Sequence, residues 1–203
     1  MKIGPKYKIC RRLGERVFSK CQTTKFTISG TAKKTKSKRR ANTSEYGQQL
    51  LEKQKVKYTY GIRERQFANY IKEVRARKET NPVEELYKNL ESRLDNIVYR
   101  LGLVNSRIFA RQMVTHGHIM VNDRKVNIPS YRVKKGDVIS VRPQSKDKKL
   151  FKWFEENKKD HQLLSWLVFD GEKMSGTVKS LPAFGPEVST LNFNSILEFY
   201  SRV

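Results

Sequence analysis

The segment from residue 91 to residue 141 carries the folding pattern that most constrains the chain. Its first part repeats apolar residues at helical spacing, at Leu94, Ile97, Val98 and Leu101. Ser92 stands where an N-cap residue would accept a backbone hydrogen bond, and Gly102 stands where a left-handed residue would end the helix. The pattern predicts a short amphipathic helix with one apolar face turned to a core.

A second helical segment follows the same plan between Ser106, its predicted N-cap, and Gly117. The side chains predicted to face inward are Phe109, Ala110, Met113 and Val114. Short strands are predicted next over 118–121, 125–128 and 138–141, separated by turn residues. The segment is therefore expected to form two helices backed by a small sheet.

Basic and polar side chains are left over on the outer face of this two-helix unit. They are Arg93, Arg107, Arg111, Gln112, His116 and Lys125. Arg107 and Arg111 are four residues apart, so a helix places them on the same face. A cationic face supported by a small core is suited to a negatively charged partner.

Four motifs in this segment resemble the RNA-binding module named after small-subunit ribosomal protein four. They are Ser-Arg-Leu-Asp-Asn at 92–96, Ala-Arg-Gln at 110–112, His-Gly-His-Ile at 116–119 and Val-Asn-Asp-Arg-Lys-Val at 121–126. The resemblance implies binding to structured RNA. Because the module also occurs in pseudouridine synthases, a tyrosine-tRNA ligase and a heat-shock protein, the flanking sequence has to identify the class of protein.

The overall charge also favours a polyanionic partner. The 203 residues include 43 Lys or Arg and 20 Asp or Glu, which gives a formal net charge of +23. Such an excess repels itself in a compact fold and indicates a nucleic-acid partner. A membrane partner is not expected, because the sequence has no apolar run of about 18 residues and no basic stretch with a strong apolar face.

Residues 1–43 are predicted to form a basic N-terminal arm. The first 40 residues contain 14 Lys or Arg and one acidic residue, Glu15. Such a run is either a solvated tail or an arm that becomes ordered on RNA, and the rest of the sequence favours the arm. Its candidate RNA contacts are Arg11, Arg12, Lys36, Lys38, Arg39 and Arg40.

Residues 44–90 are predicted to form the first part of a helical domain. The predicted helices span 44–57, with Ser44 as N-cap, 64–78 and 83–90. Cations alternate here with tyrosines, which either stack on bases or fill a core, and both interpretations stay open for Tyr58 and Tyr70. The candidate RNA contacts are Tyr46, Gln49, Lys53, Gln54, Lys55, Lys57, Tyr60, Arg63 and Arg65.

Motifs outside the central segment resemble bacterial-type ribosomal protein four over nearly the whole chain. They lie at 44–50, 52–56, 60–61, 64–67, 165–167, 174–177 and 196–201. The resemblance implies a structural protein of the small ribosomal subunit that is a primary binder of 16S-type ribosomal RNA at a multi-helix junction. It also implies a role in nucleating assembly of the subunit body and in translational accuracy. The implied partners include neighbouring ribosomal proteins and messenger RNA where it enters the subunit, on a cytoplasmic ribosome.

The predicted fold class is α+β, mainly α with a small β component. The predicted parts are an extended basic arm at 1–43, a helical domain at 44–90, an inserted two-helix and small-sheet module at 91–141, and a C-terminal part at 142–203. The last part is expected to pack back on the helical domain, through an exposed helix at 146–160 and short strands and loops from 164 onward.

No pattern predicts catalysis, a cofactor or a metal site. Phosphate-binding, zinc-protease and serine-hydrolase motifs do not occur in the sequence. Cys10 and Cys21 are interpreted as reduced thiols, because two cysteines without a CxxC pair do not supply a four-ligand zinc site. Another RNA-binding factor or an RNA-modifying enzyme is the alternative, but the enzyme would need a catalytic domain for which no segment has room.

Overall fold

The structure, a computed structural model, describes residues 3–23, 26, 44–77, 81–146, 163–171, 173–184 and 191–202. Its α-helices are α1 (Lys6–Leu13), α2 (Glu45–Thr59), α3 (Glu64–Ala76), α4 (Pro82–Glu91), α5 (Leu94–Arg100), α6 (Arg107–Thr115) and α7 (Phe193–Ser201). Its strands are β1 (Ile119–Val121), β2 (Arg124–Lys125), β3 (Val138–Val141), β4 (Leu167–Asp170) and β5 (Ser175–Val178). The predicted α+β class is confirmed.

The chain divides into two compact units. The helical unit comprises residues 1–83 and 185–203, and the inserted unit comprises residues 84–184. This division differs from the predicted one, because residues 84–90 and 163–184 group with the predicted RNA-binding module and not with the helical domain. Among the described C-terminal residues, residues 191–202, which include α7, belong to the helical unit.

Within the described residues, the inserted unit contains a five-stranded antiparallel sheet in the order β2-β1-β3-β5-β4. The helices α5 and α6 pack against each other and share a core with the sheet. The helix residues buried in this core are Leu94, Ile97, Val98, Leu101, Ala110, Met113 and Val114. The predicted inward face is therefore confirmed for these residues, and Phe109 packs against the same core while half-buried.

The predicted ends of the two helices are confirmed at three positions. The hydroxyl of Ser106 accepts a hydrogen bond from the N–H of Phe109 at 3.3 Å and caps α6. Gly102 and Gly117 follow α5 and α6 with φ angles of 75° and 72°. Glycine adopts this left-handed conformation without the steric cost that a Cβ atom adds, so each helix stops where the sequence predicts.

The start of α5 differs from the prediction. Arg93, and not Ser92, occupies the N-cap position, and no side chain caps the helix. Instead, the N–H of Leu94 donates to the carbonyl of Tyr131 at 2.9 Å. A backbone partner therefore satisfies a first-turn donor that a serine hydroxyl was expected to serve.

The first two strands are shorter than predicted. β1 begins one residue later, at Ile119, and β2 contains only Arg124 and Lys125. Between them the chain turns at Asn122 and Asp123, whose φ angles are 49° and 60°. Two consecutive left-handed residues are typical of a tight hairpin turn, and the chain leaves the sheet directly after Lys125.

In the helical unit, α7 packs against α2 and α3. The prediction of strands and loops is wrong for this stretch. Phe193, Ile196 and Phe199 recur at every third residue and are buried. The side chain of Asn192 caps the helix by accepting a hydrogen bond from the N–H of Ser195 at 3.1 Å.

The first part of the predicted arm differs from an extended chain. Residues 6–13 form α1, which packs against α2. Four apolar side chains in this part form a small buried cluster, namely Cys10, Phe18, Cys21 and Phe26. These residues are spaced among the cations and supply a local core. The predicted helix at 146–160 lies outside the described residues except for its first position.

Gly176 in β5 supports a test of the packing between the sheet and α5. A Cβ atom at this position would overlap the buried side chain of Leu101. We expect Gly176→Ala to lower the free energy of unfolding by about 1 to 3 kcal/mol, because the overlap forces packed groups apart. Urea unfolding followed by circular dichroism measures the change. Gly4→Ala is the matched control, since a Cβ atom there meets nothing within 4 Å, and equal stability of the two variants would contradict the packing.

Candidate RNA-binding surface

The outer face of α6 carries the largest group of predicted RNA contacts in the inserted unit. Ala110, Met113 and Val114 are buried on the inner side of this helix. Half-buried Arg107 and Arg111 border this buried side, whereas Gln112 and His116 are exposed. Because the buried side chains fix the rotation of the helix, this polar face is turned outward by the core.

Arg107 is held in place by two neighbours on α5. Its Nε donates to Oδ1 of Asn96 at 2.7 Å. Its guanidinium carbon lies 4.4 Å from the centroid of the Tyr99 ring, which is within the range of a cation–π contact. The side chain is therefore oriented before any ligand arrives.

A buried carboxylate lies behind this pair. The side chain of Glu91 is 0 % exposed and accepts hydrogen bonds from Nδ2 of Asn96 at 2.8 Å and from Nε of Arg100 at 3.0 Å. Arg100 adds a second contact from Nη2 to the other carboxylate oxygen at 3.0 Å. This two-point geometry is the strongest arrangement that arginine forms with a carboxylate.

The prediction that Arg93 contributes to the outer face is wrong. Arg93 is 0 % exposed, and its Nε and Nη2 donate to the two carboxylate oxygens of Asp95 at 3.0 and 2.6 Å. Burying either charge alone would be costly, so the pair is retained inside the unit as a structural contact. Asp95 is therefore the ion-pair partner of a neighbouring arginine.

His116 and Lys125 lie close to one another at the end of α6. His116 is the C-cap residue of the helix and is exposed. A Cβ atom at Gly117 would collide with the side chain of Lys125, which shows how closely this lysine approaches the helix end. A helix C-terminus favours positive charge, so Lys125 extends the cationic surface of α6.

Three predicted RNA contacts on the helical unit are buried in the protein instead. They are Gln49, Lys53 and Tyr60. The side-chain amide of Gln49 is engaged within the protein, since its Nε2 donates to Glu45 at 3.3 Å and to Glu198 at 3.1 Å. Lys53 places its Nζ 2.7 Å from Oε1 of Glu64 and 4.4 Å from the centroid of the Phe199 ring. Gln49 and Lys53 join helices, because Glu64 lies on α3 and Glu198 and Phe199 lie on α7.

Glu64 is the centre of a charge cluster that holds α2, α3 and α7 together. Its carboxylate accepts hydrogen bonds from Lys53, from Lys57 at 2.9 Å and from the hydroxyl of Tyr200 at 2.8 Å. Partial burial acts to raise the pKa of Glu64, but the hydrogen bonds from these three donors outweigh it and lower the pKa to about 2. Burial, together with the hydrogen bond to Glu64, raises the pKa of Tyr200.

Other predicted contacts of the helical unit are divided between inner and outer positions. Lys55 pairs with Glu52 at 2.6 Å and Glu15 at 3.0 Å. Desolvation acts to lower the pKa of Lys55, but its hydrogen bonds to the two glutamates raise it. Gln54 and Lys57 are half-buried, whereas the exposed predicted contacts are Arg11, Arg12, Tyr46, Arg63 and Arg65. Lys36, Lys38, Arg39 and Arg40 lie outside the described residues.

The two tyrosines whose role stayed open lie against protein. Tyr70 is buried, and Tyr58 is half-buried with its ring centroid 6.0 Å from that of Phe18. Several cations outside the predicted set are also exposed, namely Lys8, Arg16, Lys20, Arg124, Lys134, Lys135 and Lys179. Arg124 lies in the motif at 121–126 and Lys8 has helical spacing to Arg11 and Arg12, so these two could have been found from the sequence; the net charge of the chain is the signal for the others.

Cys10 and Cys21 are buried next to each other in the α1 cluster. Burial, and then the hydrogen bond and charge of Cys10, raise the pKa of Cys21 to about 11, so its thiol stays protonated at neutral pH. In the described part of the chain, no group of three or more His, Cys, Asp and Glu side chains could hold a metal ion. None of the described helices is both long and apolar enough to cross a membrane.

Comparisons with known proteins match the chain along most of its length. The family described as "Ribosomal protein S4/S9 N-terminal domain" matches residues 1–91, and the "S4 domain" matches residues 92–139. Small ribosomal subunit protein uS4 of Halothermothrix orenii is 45% identical over 98% of both chains. The uS4 proteins of Geobacillus stearothermophilus and Chloroflexus aurantiacus are each 42% identical, also over 98% of both chains.

The Glu64 cluster predicts an acid-sensitive stability. A carboxyl group whose pKa falls from 4.5 in its ordinary state to about 2 on folding stabilises the folded protein above pH 4.5, and this contribution is lost as the pH falls toward 2. We therefore expect Glu64→Gln to be less stable than wild type at pH 6 and to differ less from it at pH 2.5. Urea unfolding at both pH values measures this.

Glu73→Gln is the control for that experiment. Glu73 lies on the same helix as Glu64 and forms a surface ion pair with Arg77 at 3.2 Å. A difference between wild type and Glu64→Gln that does not change with pH would contradict the lowered pKa.

Proposed function

The chain belongs to the uS4 family of small ribosomal subunit proteins, and on this basis we propose that it binds 16S-type ribosomal RNA directly and holds it in its folded shape. Its membership confirms the resemblance drawn from the sequence motifs. The chain is accordingly a structural ribosomal protein and not an enzyme. The alternative of an RNA-modifying enzyme is set aside, because proteins named uS4 align with this chain over 98% of both sequences.

The observation that carries the proposal is the outer face of α6. Arg107 and Arg111 border the buried side of this helix, and Gln112 and His116 are exposed on it. Cations on a rigid helix can bind phosphates at fixed spacing and release the counterions condensed on RNA. A-form RNA hides its base edges in a deep major groove, so recognition of backbone shape is the expected mode.

We propose that the RNA target is a junction where several helices meet. Each of the two units has its own core and its own exposed cations, which include Arg63 and Arg65 in the helical unit and Lys125 in the inserted unit. Two folded cationic bodies in one chain can bind different helices of a single RNA. A protein that joins RNA helices in this way would nucleate assembly of the subunit body.

The remaining parts of the proposal follow from the family. We propose contacts with neighbouring small-subunit proteins, a position near the point where messenger RNA enters the subunit, and an influence on translational accuracy. The protein would act on the cytoplasmic ribosome. Exposed Tyr46, whose ring lies 5.3 Å from that of Phe199, offers a planar surface for such a partner.

Co-sedimentation tests the proposed role in its simplest form. We expect the protein to be present in about one copy per small subunit in sucrose gradients of its own cell extract, and to persist through a moderate salt wash. Binding to purified ribosomal RNA should weaken with salt by about 0.7 to 0.9 logarithmic units per tenfold salt increase for each phosphate bound. Absence of the protein from small subunits would contradict the proposal.

Charge reversal tests the face of α6. The double variant Arg107→Glu, Arg111→Glu should bind small-subunit ribosomal RNA at least about a hundredfold more weakly, because charge-assisted hydrogen bonds contribute about 1.5 to 3 kcal/mol each. Filter binding at fixed salt measures the loss, and circular dichroism checks the fold.

The matched control for this variant is Lys173→Glu, Lys179→Glu, which reverses two exposed charges in the same unit. Both double variants change the net charge equally, so a purely general effect of charge would weaken both to the same extent. Equal losses would exclude the face of α6 as the docking surface.

A further inference from the structure

We propose that Asn96 is a positioning residue for RNA binding: oriented by the buried carboxylate of Glu91, it holds the guanidinium of Arg107 toward a backbone phosphate of the RNA. This inference rests on the proposed function. It extends that function from the outer face of α6 to residues beneath the surface, which themselves touch no RNA.

The first step is the fixed position of the Glu91 carboxylate. The side chain of Glu91 is 0 % exposed, and Arg100 binds both of its oxygens at 3.0 Å. Two parallel hydrogen bonds from one guanidinium define the plane of a carboxylate as well as its position. Glu91 therefore presents a fixed acceptor to the next residue.

The second step is the orientation of the Asn96 amide. Its Nδ2 donates to the carboxylate of Glu91 at 2.8 Å and to the Glu91 carbonyl at 3.1 Å. An ionised carboxylate and a carbonyl only accept hydrogen bonds, so a flipped amide would place oxygen against oxygen. The amide oxygen of Asn96 is consequently directed away from Glu91, toward Arg107.

The third step is the restraint on Arg107. The amide oxygen of Asn96 accepts from Nε at 2.7 Å, and the Tyr99 ring lies under the guanidinium at 4.4 Å. A hydrogen bond at Nε and a ring under the plane together fix how the guanidinium is turned. An arginine restrained in this way loses less conformational freedom when it binds a phosphate, which favours binding.

These steps distinguish Asn96 from a residue that only supports the fold. Asn96 is buried, so its own contact with RNA is excluded by geometry. If it acts through Arg107, its contribution to RNA affinity exists only while Arg107 is present. Thermodynamic coupling between the two positions is therefore the property to measure.

The experiment is a double-mutant cycle on the full-length protein, with full-length small-subunit ribosomal RNA as the probe in filter binding. We expect Arg107→Ala and Asn96→Ala each to weaken binding about tenfold, and Asn96→Ala to weaken it less than about twofold once Arg107 is already alanine. The slope of affinity against salt should fall by the same amount in either single variant, by about 0.7 to 0.9 for one lost phosphate contact.

Lys125→Ala is the matched control for the cycle. Lys125 is an exposed cation in the same unit and takes no part in the hydrogen bonds from Glu91 to Arg107. The effects of Asn96→Ala and Lys125→Ala should add. Additive effects of Asn96→Ala and Arg107→Ala, with Arg107→Ala weakening binding, would overturn the positioning role and leave the proposed RNA binding intact.

Arg107→Lys keeps the test decisive if Asn96→Ala does not fold. Lysine retains the positive charge but has no Nε–H for the amide of Asn96 and no planar group for Tyr99. We expect Arg107→Lys to lose nearly as much affinity as Arg107→Ala. An affinity near that of wild type would show that charge alone suffices and would overturn the inference, whereas failure of wild type to bind the RNA would overturn the proposed function.

Discussion

This fold has to offset the repulsion among its own positive charges, since 43 basic side chains are accompanied by 20 acidic ones. Three carboxylates show how the constraint is met. Glu64 gathers two lysines and a tyrosine at the meeting point of α2, α3 and α7. Glu91 binds Arg100 and Asn96 beneath α6, and Asp95 binds Arg93 inside the inserted unit. Each of these carboxylates offsets positive charge inside its own unit.

This arrangement separates the cations into two groups with different roles. Lys53, Arg93 and Arg100 are held by carboxylates and stabilise the units. Arg65 and Lys125 are exposed and leave positive charge on the surface. Arg107 stands between the groups, because it is oriented from within and still reaches the outer face of α6. On the proposed function, the buried polar contacts orient this surface and the exposed charges supply its attraction.

The sequence predicted the parts of the structure that depend on local rules. The helical spacing from Leu94 to Leu101, the cap at Ser106 and the glycines at 102 and 117 are read from neighbouring residues, and the structure confirms them. The prediction of strands and loops for α7 overlooked two local signals, the apolar spacing of Phe193, Ile196 and Phe199 and the N-cap at Asn192.

Local rules failed for the polar residues of the candidate site. Gln49 and Lys53 resemble surface residues in sequence, yet Gln49 is buried against Glu198, which lies 149 residues away. Arg93 pairs with Asp95 only two residues away, but its burial depends on the chain around residue 132 that bridges to it. The burial of a charge is set by the tertiary partners that surround it, and a single sequence carries no direct signal of them. The exposed residues of α6 were predicted because the apolar face of that helix defined the opposite side.

The insertion of residues 84–184 into the helical unit has a consequence for how the chain is made. The inserted unit is continuous, so it can complete its sheet as soon as β5 has left the exit tunnel. The helical unit needs Phe193, Ile196 and Phe199 from α7 to fill its core, and these residues are synthesised later. Biosynthesis therefore imposes an order in which the module with the α6 face matures first, while α2 and α3 wait with an uncovered apolar surface for the last helix to arrive.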